Sequence, residues 1–212
     1  MTPPGAPARL AAALERAGIA DERVIAAMTA IPRELFVPEA LRDQAYEMRA
    51  VPIGHGQTLS RPDVVASMTE ALQPEARDKT LEVGTGSGYQ TAVLARLVRR
   101  VYTIERERAL LDLARERFGE LRCHNVTSKP GDGWLGWPEQ APFPGILVTA
   151  GASEVPAKLV DQLGEGGVMI VPVDAARGRQ ILARLSRDAA GAVHEDSLGE
   201  VRFVPLVPTD EG

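Results

Sequence analysis

Between Thr80 and Gln90 the chain reads TLEVGTGSGYQ, with Glu82 ahead of three glycines at alternate positions, Gly84, Gly86 and Gly88. Apolar Leu81 and Val83 lead into this stretch, and the helix-forming run TAVLARLV, residues 91–98, leads out of it. A strand, a glycine turn and a helix bring backbone N–H groups and a helix N-terminus up to a small molecule. Glycine lets the chain turn sharply and leaves bare main chain for the ligand. A second acid, Glu105, ends the apolar run VYTIE, roughly 20 residues past the first glycine, where a carboxylate can accept both hydroxyls of a ribose. The dinucleotide fingerprint is G-x-G-x-x-G. The spacing here is E-x-G-x-G-x-G, which opposes a nicotinamide site. A plain tight turn is the bland alternative, and the register of strand, helix and Glu105 makes it the weaker one.

These residues need a sheet to hold them. The pattern predicts strands at 80–83, 101–105, 126–129, 145–149, 168–173 (interrupted by Pro172), 180–186 and 201–207, and helices at 63–72, 91–98, 108–118 and 156–163. Strands alternating with helices imply a mostly parallel sheet covered on both faces. Ligands of such sheets bind beyond the carboxyl ends of the strands, where Glu82, Glu105, Asp132 and Thr149 all fall. Upstream, residues 1–8 read as a disordered tail, and Arg9–Ala17 and Asp21–Ala30 as helices, with Asp21 a plausible N-cap. Ile31 to Pro62 is rich in Gly and Pro and too polar for a core element. It is also long for a connector, and long irregular stretches tend to be functional. Ser60 stands just ahead of the helix at 63–72, so its bland role is a cap worth about 1 kcal/mol.

Composition narrows the partners. The chain has 212 residues, the length of one domain, here an N-terminal helical and substrate-loop segment (9–78) and a cofactor-binding α/β core (79–212). A net charge of −5 favours neither nucleic acid nor an anionic membrane. Lone Cys123 excludes a disulfide framework, and His55, His124 and His194 have no ligand spacing, so no metal is expected. Neither a secretory signal nor a membrane span is legible, and the expected compartment is the cytoplasm.

The stretches AVPIGHGQTLSRPDVVASMTE, LEVGTGSGYQTAVLARL, VYTIER, GDGWLGWPEQAPF, ILVTAGASEVPAKLVDQL and VRFVPLV closely resemble protein-L-isoaspartate O-methyltransferases. The alternating glycines alone resemble methyltransferases in general; PIGHGQTLSRP is the family-specific piece. The resemblance implies a doubly wound, mostly parallel α/β sheet of the Rossmann-like methyltransferase type with N-terminal helices and a modified order at its C-terminal strands. It implies S-adenosyl-L-methionine as cofactor, S-adenosyl-L-homocysteine as product, no metal, and a monomer. The substrate it implies is the α-carboxyl group of L-isoaspartyl residues in damaged proteins and peptides, whose methylation initiates repair. Cofactor contacts carry over to Glu82, Gly84, Thr85, Gly86, Gly88, Glu105, Asp132 and Gly133. Substrate contacts carry over to Ile53, Thr58, Ser60 and Val204, with Ser60 as the active-site residue. One departure is Pro144, where the family usually has an aspartate.

On this reading the nucleophile is a carboxylate with a pKa of about 3.5, ionised without help, so no general base is expected. Ser60 would position one carboxylate oxygen, and the glycine-rich stretch 51–60 would close over the peptide. Residues 201–207 could add a substrate strand to the sheet or be an ordinary strand. His55, Tyr89, Trp134 and Trp137 lie near the motifs, but loop or core roles explain them equally well. Rival readings are a carboxyl methyltransferase acting on a biosynthetic peptide and a domain that binds S-adenosylmethionine or peptide without turnover.

Overall fold

The computed structural model describes residues 3–208. Two helices, α1 (Ala6–Arg16) and α2 (Glu22–Thr29), come first. Asp21 caps α2 by accepting from the Arg23 amide at 2.9 Å. Two short 3-10 turns, Arg33–Phe36 and Glu39–Gln44, lead to a hairpin of β1 (Val51–Gly54) and β2 (Gln57–Leu59), then α3 (Pro62–Leu72). The α/β alternation follows as β3 (Lys79–Val83), α4 (Tyr89–Ala95), β4 (Arg100–Glu105), α5 (Arg108–Glu120), β5 (Val126–Pro130), β6 (Phe143–Val148), α6 (Ala157–Val160) and β7 (Leu163–Ala175). Antiparallel β8 (Arg179–Arg187) and β9 (Val193–Val201) complete it.

Among the described residues these strands form a seven-stranded sheet in the order β5-β4-β3-β6-β7-β8-β9. The chain starts in the middle and winds both ways, parallel from β5 to β7. Alternation along the central strands divides the core. Leu81, Val83, Ile146, Val148, Met169 and Val171 pack on one face. Leu147 and Ile170 pack on the other, against Met68 and Leu72 of α3 and Leu94 of α4. A third cluster joins Leu10, Leu14, Val24 and Met28 of the N-terminal helices to Phe36, Val51, Leu59, Val65 and Val93. Glu70 of α3 fastens this cap to the core by accepting from the amides of Ala20 and Asp21 at 2.7 and 2.6 Å.

Several sequence expectations are corrected. Residues 6–8, assigned to a disordered tail, are helical, and Ala6 is buried; Met1 and Thr2 lie outside the described residues. The stretch from Ile31 to Pro62 is not too polar for the core: its turns bury Phe36 and Val37, and its hairpin buries Val51 and Leu59. The helix expected over 156–163 is only Ala157–Val160. Pro172 does not interrupt β7. Its carbonyl accepts from Ala152 beyond the end of β6, and its missing N–H faces that same side, so no β6 ladder bond is lost. The strand expected over 201–207 is absent: β9 ends at Val201, and the segment after it holds only an isolated bridge from Pro205 to Gly151. The polar run of β9 gives no strand signal in the sequence because an exposed edge strand carries no apolar alternation.

Candidate active site

At the carboxyl end of β3 and β4 lies a cavity of about 210 Å³. The three alternating glycines shape it for different reasons. Gly84 (φ +97°) passes so close to Thr149 that a Cβ would strike the threonine hydroxyl, which sits 2.6 Å from the Gly84 carbonyl. Gly88 (φ +91°) caps α4, and a Cβ there would come within 2.8 Å of the Phe118 ring on α5. At Gly86 (φ +53°) an added Cβ would meet nothing closer than Ile53 Cδ1 at 3.8 Å, so the positive φ rather than crowding calls for glycine there, and no side chain stands between its main chain and the cavity.

Glu105 is buried and lines the cavity. One of its oxygens accepts from the Gly86 amide at 2.7 Å and the other from the Glu107 amide at 2.9 Å. Each oxygen keeps a further lone pair, so the carboxylate is held in place by main chain and can still accept from a ligand.

Glu82 does not line the cavity. It lies beneath the glycine turn, where Oε2 accepts from Thr103 at 2.6 Å and from Thr91, while Oε1 has no partner. Thr85, which does line the cavity, sits 2.6 Å from Thr103 Oγ1, so a hydroxyl relay ties the turn to β3, β4 and α4. Burial pushes the Glu82 pKa up to about 8; the two threonine bonds oppose this and the charge on Glu105 adds to it. Asp132 is also not a lining residue: its Oδ1 accepts from the Trp134 amide at 2.8 Å and caps a short 3-10 turn. The glycines on either side, Gly131 and Gly133, do line the cavity.

The opposite wall comes from the hairpin and the C-terminal segment. The hairpin tip, Gly54-His55-Gly56, has positive φ throughout. Thr58 and Ser60 line the cavity, whereas Ile53 packs against the N-terminal core cluster beside Gly86. Ser60 is not a helix cap: the N-cap of α3 is Arg61, with no side-chain cap bond. Val204 lines the cavity and gives its carbonyl to the Gly151 amide at 2.8 Å. A second cavity of about 300 Å³ shares Thr58, Ser60, Thr149, Phe203 and Val204 with the first and opens toward Arg61 and Arg202. Ser60 therefore lies on the wall between two cavities.

The tempting aromatics separate. Trp134 donates its indole N–H to the Leu206 carbonyl at 3.1 Å and so fastens the C-terminal wall; neither it nor Trp137 lines the cavity. Tyr89 opens α4 with its buried ring 5.3 Å from that of Phe36. His55 Nδ1 lies 3.7 Å from Glu107 Oε2 across the cavity mouth. Pro144 stands exposed at the start of β6, far from the carboxyl ends, at a register shift against β7 where a missing N–H is tolerated. Sequence reading missed Arg33, which bonds the Ser60 carbonyl; an irregular stretch carries no periodicity that marks a buried cation. Thr91 and Thr103 were missed too, although a hydroxyl next to a buried acid is the partner to look for.

The sequence profile described as "Protein-L-isoaspartate(D-aspartate) O-methyltransferase (PCMT)" matches residues 7–211. The protein-L-isoaspartate O-methyltransferase of Parvibaculum lavamentivorans is 59% identical over 196 residues, covering 92% of this chain and 88% of that one. Its counterpart from Rhodospirillum centenum is 56% identical, covering 94% and 90%. Among solved structures, a putative protein-L-isoaspartate O-methyltransferase from Plasmodium falciparum, in complex with S-adenosyl-L-homocysteine, superimposes with a TM-score of 0.82 at 27% identity, covering 95% of this chain and 98% of that one.

Proposed function

The chain belongs to the protein-L-isoaspartate O-methyltransferase family, and we propose that Ser60, standing between the two cavities, is where its two substrates meet. The protein is an S-adenosylmethionine-dependent enzyme that methylates the α-carboxyl group of L-isoaspartyl residues in damaged proteins and peptides, the step that initiates their repair.

The larger role of the first cavity is to hold S-adenosylmethionine, which when bound supplies an activated methyl group on a sulfonium. The chain's residues fit it: bare main chain at Gly86, a fixed and still-accepting carboxylate at Glu105, and small Gly131 and Gly133 on the far side. In this reading Glu105 accepts from the ribose, the Gly84–Gly88 turn underlies the amino-acid end, and the segment at Asp132-Gly133 borders the adenine. Glu82 serves by holding the turn, through Thr85, Thr91 and Thr103.

The second cavity takes the peptide. The isoaspartyl carboxylate is ionised at neutral pH, since such groups have a pKa of about 3.5, so the chain has no proton to remove. Its work is alignment and exclusion of water, and alignment alone can lower a barrier by about 7–11 kcal/mol in favourable cases. The Ser60 hydroxyl donates to one carboxylate oxygen and leaves the other directed at the methyl group. Thr58 and Val204 border the peptide, and Ile53 supports the hairpin from behind. We also infer a single catalytic domain, monomeric and cytoplasmic, with no nucleic-acid or membrane partner. The net charge of −5 disfavours polyanionic partners, and no described helix is long and apolar enough to cross a membrane.

The single observation that carries the proposal is the placement of Ser60 on the shared wall. Labelled S-adenosylmethionine is offered with a pair of peptides that differ only in isoaspartate against aspartate. Label should enter the isoaspartyl peptide alone; equal or absent labelling of both rejects the function.

A further inference from the structure

Arg33 is the one arginine or lysine buried among the described residues, at 0% exposure. Its Nε donates to the Ala45 carbonyl at 2.6 Å, and its Nη2 donates to the carbonyl of Ser60. Its guanidinium lies 4.5 Å from the centre of the Tyr89 ring, and that tyrosine is the strongest favourable neighbour of its charge; Nη1 reaches no hydrogen-bond acceptor within 3.5 Å. Its guanidinium makes no ion pair within 4.0 Å among the described residues; the neighbouring buried acid, Glu34, accepts from the Tyr46 hydroxyl at 2.6 Å. Asp63 is the carboxylate that acts on it most, and Asp63 is held by Arg61 at 2.6 Å. A guanidinium does not give up its proton, and a buried charge without a counter-ion is costly.

We propose that Arg33 is a positioning residue for the methyl-transfer site: it fixes the main chain of Ser60 and supplies the unmatched positive charge that the substrate carboxylate neutralises. The inference rests on the reading of Ser60 given above. One guanidinium bonds both the Ala45 and Ser60 carbonyls, so the serine is set against the N-terminal cap rather than against its own helix. The excess charge lies directly behind the serine and favours an anionic over a neutral group there. Discrimination between a carboxylate and its amide is then a property of Arg33, and turnover depends on the two-carbonyl grip.

The test uses the whole chain saturated with S-adenosylhomocysteine. Its probes are an isoaspartyl peptide and the same peptide with that α-carboxylate converted to a carboxamide. The wild type should bind the acid at least about 30-fold more tightly than the amide, and Arg33→Met should cut that preference to about threefold or less. Arg33→Lys should keep the preference but lower kcat by about tenfold or more, because one ammonium cannot grip both carbonyls. S-adenosylhomocysteine affinity should stay within about twofold in both variants. Arg33→Met with wild-type discrimination overturns the proposal, as does Arg33→Lys with wild-type kcat, or a loss of S-adenosylhomocysteine affinity in both variants that matches the loss of peptide. Should Arg33→Met fail to fold, Arg33→Lys and the wild type still decide, since a wild type that binds acid and amide alike is enough to reject it. Ser60→Ala should lose turnover and keep the discrimination. Failure of the wild type to prefer isoaspartyl over aspartyl peptide would instead reject the function.

Discussion

The two walls of the active site are built in opposite ways. The cofactor wall, from Lys79 to Gly133, consists of parallel strand ends and one glycine turn, and its acids are fixed by nearby main chain and hydroxyls. The substrate wall gathers a short hairpin, Ser60 and residues 203–207 from distant parts of the chain, joined by few bonds such as Trp134 to Leu206 and Gly151 to Val204. The difference teaches that a binding surface for a constant ligand can be locally encoded, whereas one that must admit many peptides is assembled from loops on a rigid scaffold. The two walls should therefore fail separately.

Glu105→Ala should test the cofactor wall most severely. It removes an acceptor whose charged hydrogen bonds are worth roughly 1.5–3 kcal/mol each, and it releases the Gly86 amide as well. Calorimetry should show S-adenosylhomocysteine binding weakened by about 100-fold or more; unchanged affinity would place the ribose elsewhere. Ser60→Ala should do the reverse, lowering kcat by roughly 10–100-fold with cofactor affinity and melting temperature nearly unchanged. Parallel losses in all three would mean that the walls are not independent.

A smaller effect sharpens the account of what lies under the turn. The Glu82 pKa in the folded chain is about 8, above its ordinary value of 4.5. Between those values the unfolded chain gives up a proton that the folded chain retains. The Glu82 contribution is thus fully present below the lower value and is lost as pH rises toward the upper, by at most about 1.4 kcal/mol per pH unit. In Glu82→Gln that part of the pH slope should vanish from denaturant titrations, and an unaltered slope would mean that the carboxyl is ionised when folded. The smallest effect belongs to the contact across the mouth. Glu107→Gln removes the carboxylate charge facing His55 but keeps an oxygen to cap α5. Both partners are half-exposed, so it should weaken cofactor binding by less than about 1 kcal/mol; a larger loss in calorimetry would make the hairpin tip an essential clasp.

The cofactor wall is largely legible in the sequence. Leu81 and Val83, the alternating glycines and Glu105 are consecutive features of one β-turn-α-β unit, and their chemistry follows from spacing. Even there, Glu82 and Asp132, expected at the ligand, do not line the cavity themselves, because a strand end tells which residues are near a ligand but not which way a side chain is bonded. The substrate wall was readable only through the family-specific run PIGHGQTLSRP. The stretch from Ile31 to Pro62 hid its core residues and Arg33, since 3-10 turns and short hairpins leave no period to follow. The C-terminal run VRFVPLV has the apolar character of a strand; beyond β9 it instead wraps against Gly151 and Trp134 to close the cavity.

What the sequence determined by itself is therefore the order of strands and helices in the α/β unit, the glycine turn and the acid that ends the next strand, and the family of the chain. These are local matters, decided by side-chain alternation and by backbone torsions within a few residues. Only the tertiary structure decided that Ser60 stands between two cavities, that Arg33 lies buried behind it, and that Pro144 sits at the far end of its strand. Those depend on which distant segments bury one another, and burial is a property of the packed chain rather than of any stretch of it.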